Sequence, residues 1–206
     1  MLEIRGFIFK EAVPMNQNIE NITVHYLWEE KGYHCGPEVT FCPELTKNGV
    51  RMQITVHESN PKRVMAEHFQ PVHLDSCVEW FVNFSPETSD RYFNFEGNAN
   101  GVMNVAYRKD RHEFQTMTVE DVESLHIRTK IEEMVWTVEY EVPFELMEKY
   151  VPGFVRADEM TIKANFYKCG DETEFPHFGV WKKVETPEPD FHRPEYFGEV
   201  VLKRSH

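Results

Sequence analysis

The sequence predicts an all-β fold, an antiparallel β-sandwich or jelly roll of about ten short strands with one or two short helices. Short runs in which apolar and polar residues alternate recur along the 206 residues. Turn-forming Gly, Pro and Asn separate these runs at short intervals. Aromatic residues, which favour strands, make up 14% of the chain. No linker-like segment divides the pattern, so we expect one domain over residues 1–206.

The alternating runs place the predicted strands in chain order. They lie near Ile22–Trp28, Arg51–His57, Cys77–Phe84, Arg91–Glu96, Val102–Arg108, His126–Ile131, Val135–Val142, Thr161–Cys169, His177–Val184 and Glu199–Lys203. The segment after the ninth run, Glu185–Pro194, carries three prolines and is predicted to be an extended loop.

Two segments have helical character. Pro143 precedes Phe144–Tyr150, where apolar residues recur at helical spacing, and Pro152-Gly153 would end that helix. Glu120–Leu125 is predicted to form a second, shorter helix.

The charge balance argues against two classes of partner. Asp and Glu number 35 against 22 Lys and Arg, a formal net charge of -13. Such a field repels phosphate backbones and anionic lipid surfaces, so we expect neither nucleic-acid nor membrane binding. No stretch approaches the roughly 20 apolar residues of a membrane helix. Residues 1–13 lack the apolar core of a signal peptide, which favours a cytoplasmic location over secretion.

Cysteine spacing predicts free thiols. The four cysteines, Cys35, Cys42, Cys77 and Cys169, form no CxxC pair, so the spacing does not indicate a structural zinc site. Cys35 and Cys42 are close enough in sequence to bridge across a loop, but buried free thiols are the favoured interpretation. We expect no cofactor from the residues alone.

Strand alternation divides the tryptophans. Trp28, Trp80 and Trp136 each lie on an apolar stripe and are expected in the core. Trp181 instead shares a strand face with His177, opposite Phe178 and Val180, which are predicted to point inward. An aromatic ring on a polar sheet face can hold a flat apolar ligand surface, such as that of a pyranose ring. The alternative is that the proline-rich loop covers Trp181.

The same division gathers polar side chains on the faces not assigned to the core. Carboxylates and amides there offer the acceptors and donors that sugar hydroxyls need. The alternative for each of them is an ordinary solvated sheet face. The set comprises Glu79, Asn83, Tyr92, Asn94, Glu96, Asn165, Tyr167 and His177.

Five stretches carry a recognisable pattern, and they contain the strings DSCVE, NFYKCGD and DFHRPEYFG. The stretches are His73–Phe81, Tyr92–Ala99, Ala164–Asp171, Pro176–Trp181 and Pro189–Gly198. Together they resemble the family 9-like carbohydrate-binding domain, a relative of the family 9 modules attached to xylanases, and the resemblance covers roughly residues 20–203.

The resemblance implies a β-sandwich that binds a mono- or oligosaccharide without catalysis. In such modules two aromatic side chains clamp a terminal sugar, and polar side chains bind its hydroxyls. Trp181 matches one clamp position and Glu79 an acidic sugar contact. The second clamp position falls near His73, which lacks an aromatic hydrocarbon ring. Either His73 stacks on the sugar more weakly, or His192 and Tyr196 from the long loop close the site.

Two further expectations follow from the resemblance. Family members hold structural calcium, for which Asp171, Glu172 and Glu174 form the nearest acidic loop. His192 and Arg193 are candidates for one wall of a pocket that takes an anionic or uronic sugar, because Arg binds carboxylates in bidentate fashion. The alternative is that they belong to a loop pinned across one end of the sandwich.

The preferred function is therefore sugar binding, with the ring stacked on Trp181 and hydrogen-bonded by Glu79, Asn94, Glu96 and Asn165. Three alternatives remain open at this point. The domain could serve interactions after losing its sugar site, it could be a glycosidase using Glu79 and Glu96 as acid and base, or it could bind haem through Met and His.

Overall fold

The computed structural model describes residues 21–204, which form thirteen strands and two α-helices. The first seven strands are β1 (Ile22–Thr23), β2 (His25–Tyr26), β3 (Glu38–Leu45), β4 (Gly49–His57), β5 (Cys77–Asn83), β6 (Tyr92–Asn98) and β7 (Met103–Arg108). The others are β8 (Phe114–Thr116), β9 (Arg128–Ile131), β10 (Trp136–Pro143), β11 (Glu159–Cys169), β12 (Phe178–Val180) and β13 (Gly198–Lys203). The N-terminal segment considered above for a signal peptide lies outside the described residues.

The strands form two antiparallel sheets. The first sheet has the order β1-β3-β4-β10-β9, and the second has the order β2-β12-β11-β5-β6-β7-β8. β13 pairs with the first half of β11, whereas β12 pairs with its last three residues. The predicted antiparallel β-sandwich is confirmed.

Both predicted helices are present, as α1 (Val119–Glu123) and α2 (Phe144–Tyr150). Thr118 and Asp121 form a reciprocal capping box at the start of α1. Pro143 precedes α2, where the missing N–H of proline costs nothing. Among residues 21–204 there is no helix with the length and apolar character to span a membrane.

The main core lies between the sheets and follows the predicted alternation. On β5, Val78, Trp80 and Val82 are all buried in it. The Trp80 ring stacks on Phe95 at 5.7 Å and on Phe166 at 6.3 Å between ring centroids. Burial of such rings removes large apolar areas from water and is the main stabilising contribution to the sandwich.

A second hydrophobic cluster covers the outer face of the second sheet, where the sequence predicts a polar surface. Phe178 and Val180, expected in the main core, belong to this cluster instead. Tyr167 stacks on Phe191 of the proline-rich loop at 4.2 Å between ring centroids. Because this loop lies over the sheet, β5 and β6 are buried on both faces. Alternation separates two faces but does not show that both are covered.

Several strand boundaries differ from the predictions. The run Ile22–Trp28 is not one strand, because its two halves join different sheets as β1 and β2. The sequence did not predict β3, whose Pro43 argues against a strand. Pro43 is tolerated since β1 pairs only with Thr40 and Phe41, which leaves β3 at the sheet edge beyond them. The three-residue β8 was also missed.

Candidate functional site

A concave cavity of about 340 Å³ opens on the outer face of the second sheet. Its floor is formed by side chains of β5, β6, β7 and β11, and the loops after β7 and β12 provide its walls. Thirteen residues line it, and they combine carboxylates, guanidinium groups and aromatic rings. They are His73, Glu79, Glu96, Asn104, Arg108, Arg111, Phe114, Cys169, Asp171, Phe178, Pro189, Phe191 and His192.

Two carboxyl groups lie side by side on the floor. Glu79 on β5 is paired directly with Glu96 on β6, and both are buried. Burial and the charge of Glu96 raise the pKa of Glu79 well above its ordinary value. The Glu96 carboxylate accepts hydrogen bonds from Asn94 at 2.6 Å and Asn104 at 3.0 Å. The floor thus combines a carboxyl group in which burial favours the protonated form with a hydrogen-bonded acceptor.

Arg108 at the end of β7 carries a positive charge into the cavity. Its Nε donates to Asn94 Oδ1 at 2.7 Å, and its guanidinium carbon lies 4.2 Å from the centroid of the Phe114 ring. Arg111 in the following turn donates to Asp190 Oδ1 at 2.5 Å. These contacts fix the orientation of Arg108, so its remaining N–H groups form a prepared donor set.

Aromatic rings border the cavity at different depths. The Phe114 ring is 49% exposed, whereas Phe178 and Phe191 are almost fully buried. The His192 ring packs on Phe81 at 4.9 Å, and its Nδ1 lies 3.0 Å from the Tyr92 hydroxyl. Burial, followed by the nearby Arg108, lowers the pKa of His192 to about 3, so this ring is neutral near pH 7. Phe114 therefore offers the accessible apolar surface.

The structure brings together six of the ten predicted site residues. Glu79, Glu96, His73 and His192 line the cavity. Asn94 lies beneath its floor, in contact with Glu96 and Arg108. Tyr167 belongs to the same face and supports the Phe191 wall, since its hydroxyl donates to the Phe191 carbonyl at 3.1 Å.

Trp181 does not line the cavity, and the prediction that it lies on a polar sheet face is wrong. It packs against the main core and contacts Phe166 edge to face at 5.4 Å between ring centroids. The Lys182 ammonium nitrogen lies 4.1 Å from the centroid of the Trp181 ring. The cause is the register of β12, in which the outward residues are Phe178 and Val180. Trp181 therefore follows the strand on the inward side.

Three other predicted site residues lie outside the cavity lining. His177 lies within hydrogen-bonding distance of the buried Lys168, with 2.8 Å between the two nitrogens. The Asn165 side chain bonds both the N–H and the C=O of Lys182, which anchors the chain after β12. Arg193 is partly exposed and pairs with Glu195 at 2.7 Å, in agreement with the pinned-loop alternative.

Nine of the thirteen lining residues were not among the predicted sugar contacts, and four of them, Asn104, Arg108, Arg111 and Phe114, supply polar groups or exposed apolar surface. Asn104 and Arg108 occupy alternate positions of the predicted strand Val102–Arg108, so dividing that strand into faces would have found them. Arg111 and Phe114 give no such signal, because only the turn into β8 brings them to the cavity.

The acidic loop expected to hold calcium does not form a ligand cluster. Asp171 points to the cavity, while Glu172 pairs with Lys62 at 3.4 Å. Among the described residues, the group of three or more potential metal ligands that converges is Cys77, Glu79 and Cys169. The carboxylates of Asp171, Glu172 and Glu174 are therefore not among the converging groups. All four cysteines are free thiols, but the predicted burial holds only for Cys77 and Cys169, because Cys35 is exposed and Cys42 is partly exposed.

A second concavity is larger but less suited to a small ligand. It is an open groove of about 1050 Å³ beside the turn between β5 and β6, with Lys149, Tyr150 and Lys163 among its lining. Its buried polar side chains are Asn83 and three tyrosines, whereas the smaller cavity has buried carboxylates and a buried guanidinium.

The family model described as carbohydrate-binding family 9 matches residues 9–202 of the chain. The chain belongs to carbohydrate-binding family 9. No curated protein matches it.

Solved structures share the fold of this family 9 module. A candidate carbohydrate-binding protein from Bacteroides uniformis ATCC 8492 is 28% identical, with a TM-score of 0.77 over 91% of this chain and 87% of that one. A family 9 module from Caldicellulosiruptor kristjanssonii in complex with cellotriose is 12% identical, with a TM-score of 0.63 over 98% and 91% of the two chains. Its complex with glucose gives 13% identity and a TM-score of 0.62 over 98% and 93%.

Proposed function

We propose that this family 9 module binds a sugar ring in the 340 Å³ cavity on the outer face of the second sheet, without catalysis. The observation that carries the proposal is the convergence of Glu79, Glu96, Asn104 and Arg108 on one concave surface. The volume lies within the range of about 300–1,000 Å³ typical of small-ligand sites.

The polar groups suit the alternating donors and acceptors of a sugar. A hydroxyl donates to the Glu96 carboxylate and accepts from the amide of Asn104 or the guanidinium of Arg108. Glu79, whose protonated form is favoured by burial, adds a further polar contact. Because Asn94 holds both Glu96 and Arg108 in place, little side-chain entropy is lost on binding.

The apolar face of the sugar is assigned to Phe114. The sequence suggests stacking on Trp181, but in this proposal Phe114 takes that role. Phe114 lines the cavity and is about half exposed, whereas Trp181 packs on Phe166. His73 and His192 border the same space and supply smaller ring surfaces.

A glycosidase is the second candidate, favoured by the raised pKa of Glu79 beside Glu96. Glycosidases place their two carboxyl groups on opposite sides of the scissile bond. Here the two residues are direct cross-strand neighbours on one floor, an arrangement that suits binding. Release of nitrophenol from aryl glycosides, lost in Glu79→Gln, would establish the enzyme; absence of turnover on a broad panel is expected.

Calorimetry with glucose, cellobiose and cellotriose tests the binding proposal, since glucose and cellotriose are the ligands of the Caldicellulosiruptor module. We expect Phe114→Ala to weaken binding about tenfold, which corresponds to about 1.4 kcal/mol. Glu96→Gln should weaken it further, because the acceptor of two hydrogen bonds becomes an amide.

Phe175→Ala is the matched control. Phe175 is also a half-exposed phenylalanine, at 57%, but it lies outside the cavity lining. If Phe114→Ala and Phe175→Ala bind sugar as tightly as the original chain, the cavity is not the site. If none of the three sugars binds, a glycan array extends the ligand panel.

A further inference from the structure

The floor of the cavity contains a group that sugar binding does not require. Cys77 on β5 and Cys169 on β11 are directly opposed in the antiparallel pair, and Glu79 follows on the same face. Their ligand atoms all lie within 4.8 Å of one another, and all three residues are buried. The Cys169 sulfur and Glu79 Oε1 are 3.0 Å apart.

We propose that Cys77, Glu79 and Cys169 bind a thiophilic divalent cation, Zn²⁺ in the first instance. Two thiolates and one carboxylate form a donor set that selects zinc over calcium or magnesium, which take oxygen ligands. In a tetrahedral site with Zn–S bonds of about 2.3 Å, two sulfurs lie roughly 3.8 Å apart. The observed spacing of the three groups is compatible with that geometry after small side-chain rotations.

The surroundings provide access and partial charge compensation. Glu79 and Cys169 line the cavity, so the cation has a route from solvent. Asp171 and His73 line the same cavity as Glu79 and Cys169, so water or a ligand oxygen has room to serve as a fourth ligand. Two thiolates, a carboxylate and Zn²⁺ leave one net negative charge. The Lys168 ammonium, bonded to the Cys169 carbonyl at 2.8 Å, lies close enough to offset it.

Binding of the cation by these three side chains conserves charge and requires no oxidant. Each thiol, and the Glu79 carboxyl where it is protonated, loses a proton to solvent, and three bonds form from the deprotonated ligands to the cation. Binding is therefore expected to weaken as the pH falls, since protons compete with the metal.

Titration of the reduced, metal-free protein with Cd²⁺ and Co²⁺ tests the inference without any sugar, so its outcome is independent of the proposed function. We expect one equivalent of Cd²⁺ to produce a thiolate-to-metal absorption band, and Co²⁺ the visible spectrum of a four-coordinate site. Cys77→Ser and Cys169→Ser should each weaken binding about a hundredfold or more. Glu79→Gln, which keeps the shape of the side chain, should weaken it about tenfold.

The chain offers a matched control in its two other cysteines. Cys35 is exposed and Cys42 is partly exposed, so the double variant Cys35→Ser/Cys42→Ser should bind like the original chain. Circular dichroism identifies any variant that fails to fold, and Glu79→Gln then carries the test. The proposal is overturned if no thiolate band develops. It is also overturned if the thiolate-to-metal band is lost in the Cys35→Ser/Cys42→Ser variant and not in the Cys77→Ser and Cys169→Ser variants. A disulfide between Cys77 and Cys169 that excludes metal would overturn it as well.

Discussion

At the scale of single residues, buried Lys168 shows how a charge is accommodated inside the sandwich. It is fully buried, and its ammonium group lies 2.9 Å from Ser76 Oγ and 2.8 Å from the Cys169 carbonyl. Its third contact is His177 Nε2, which accepts, while His177 Nδ1 lies 2.7 Å from the Phe175 carbonyl and donates to it. These two bonds select the neutral tautomer of His177.

The neutral state of His177 predicts a loss of stability in acid. Burial, followed by the charge of Lys168, lowers the pKa of His177 to about 4 from an ordinary value of 6.5. The unfolded chain binds a proton below pH 6.5 while the folded chain does not, so the free energy of unfolding falls as the pH drops from about 6.5 to 4. The loss is on the order of 2–3 kcal/mol. Urea unfolding across this pH range measures it.

His177→Gln should flatten that pH dependence, because glutamine can accept from Lys168 and donate to Phe175 without titrating. The exposed His57 supplies the control variant, His57→Gln. Equal slopes for His177→Gln and the original chain would contradict the assignment.

Trp181 gives a second residue-scale prediction, which separates packing from ligand stacking. Because its ring packs on Phe166 and the main core, Trp181→Ala should lower the free energy of unfolding by about 3 kcal/mol. Calorimetry on the folded variant should show sugar affinity within about twofold of the original. Loss of binding with unchanged stability would restore Trp181 as the sugar platform.

At the scale of elements, one carboxylate links the two helices. Asp121 closes the capping box of α1, and it also accepts hydrogen bonds from two residues of α2. Lys149 Nζ lies 2.6 Å from Oδ1, and the Tyr150 hydroxyl lies 2.6 Å from Oδ2. A five-residue helix has little stability by itself, so these contacts hold α1 against the sandwich.

Removal of this carboxylate should therefore cost more than an ordinary cap. We expect Asp121→Ala to lower the free energy of unfolding by about 2–3 kcal/mol, because it also leaves the Tyr150 hydroxyl unpaired. Glu120→Ala, at an exposed position of the same helix, should cost less than about 0.5 kcal/mol. Similar effects of the two substitutions in urea unfolding would show that Asp121 does not link the helices.

At the scale of the whole molecule, one core joins the two sheets and the helices. The main cluster contains Val56 and Trp136 of the first sheet, Trp80 of the second and Phe144 of α2. The second cluster shares β5 and β11 with it, on their opposite faces. The two sheets cannot separate without exposing the main cluster, which lies between them.

This shared core predicts a single cooperative unfolding transition. Tryptophan fluorescence and far-ultraviolet circular dichroism should give coincident urea curves, since residues of both sheets lose their packing together. Two resolved transitions, or curves that differ between the probes, would indicate parts that unfold independently.

Local sequence signals were sufficient for much of this architecture. Alternation identified most strands, and Pro143 with the spacing of Phe144 and Met147 identified α2. Alternation also placed Trp80 and Trp136 in the core. Alternation did not predict that Glu79 pairs with Glu96 across β5 and β6, because strand order depends on contacts between segments far apart in sequence.

Residue periodicity and the conformational limits of proline were enough to predict the fold class, the two helices and most of the main core. They did not predict which strand faces are covered or where the cavity lies, because both depend on how the folded segments pack. The proline-rich loop buries Tyr167 and Phe178, and the register of β12 turns Trp181 inward. The turn after β7 brings Arg111 and Phe114 to the cavity. Each of these outcomes depends on packing between distant segments, which residue periodicity does not encode.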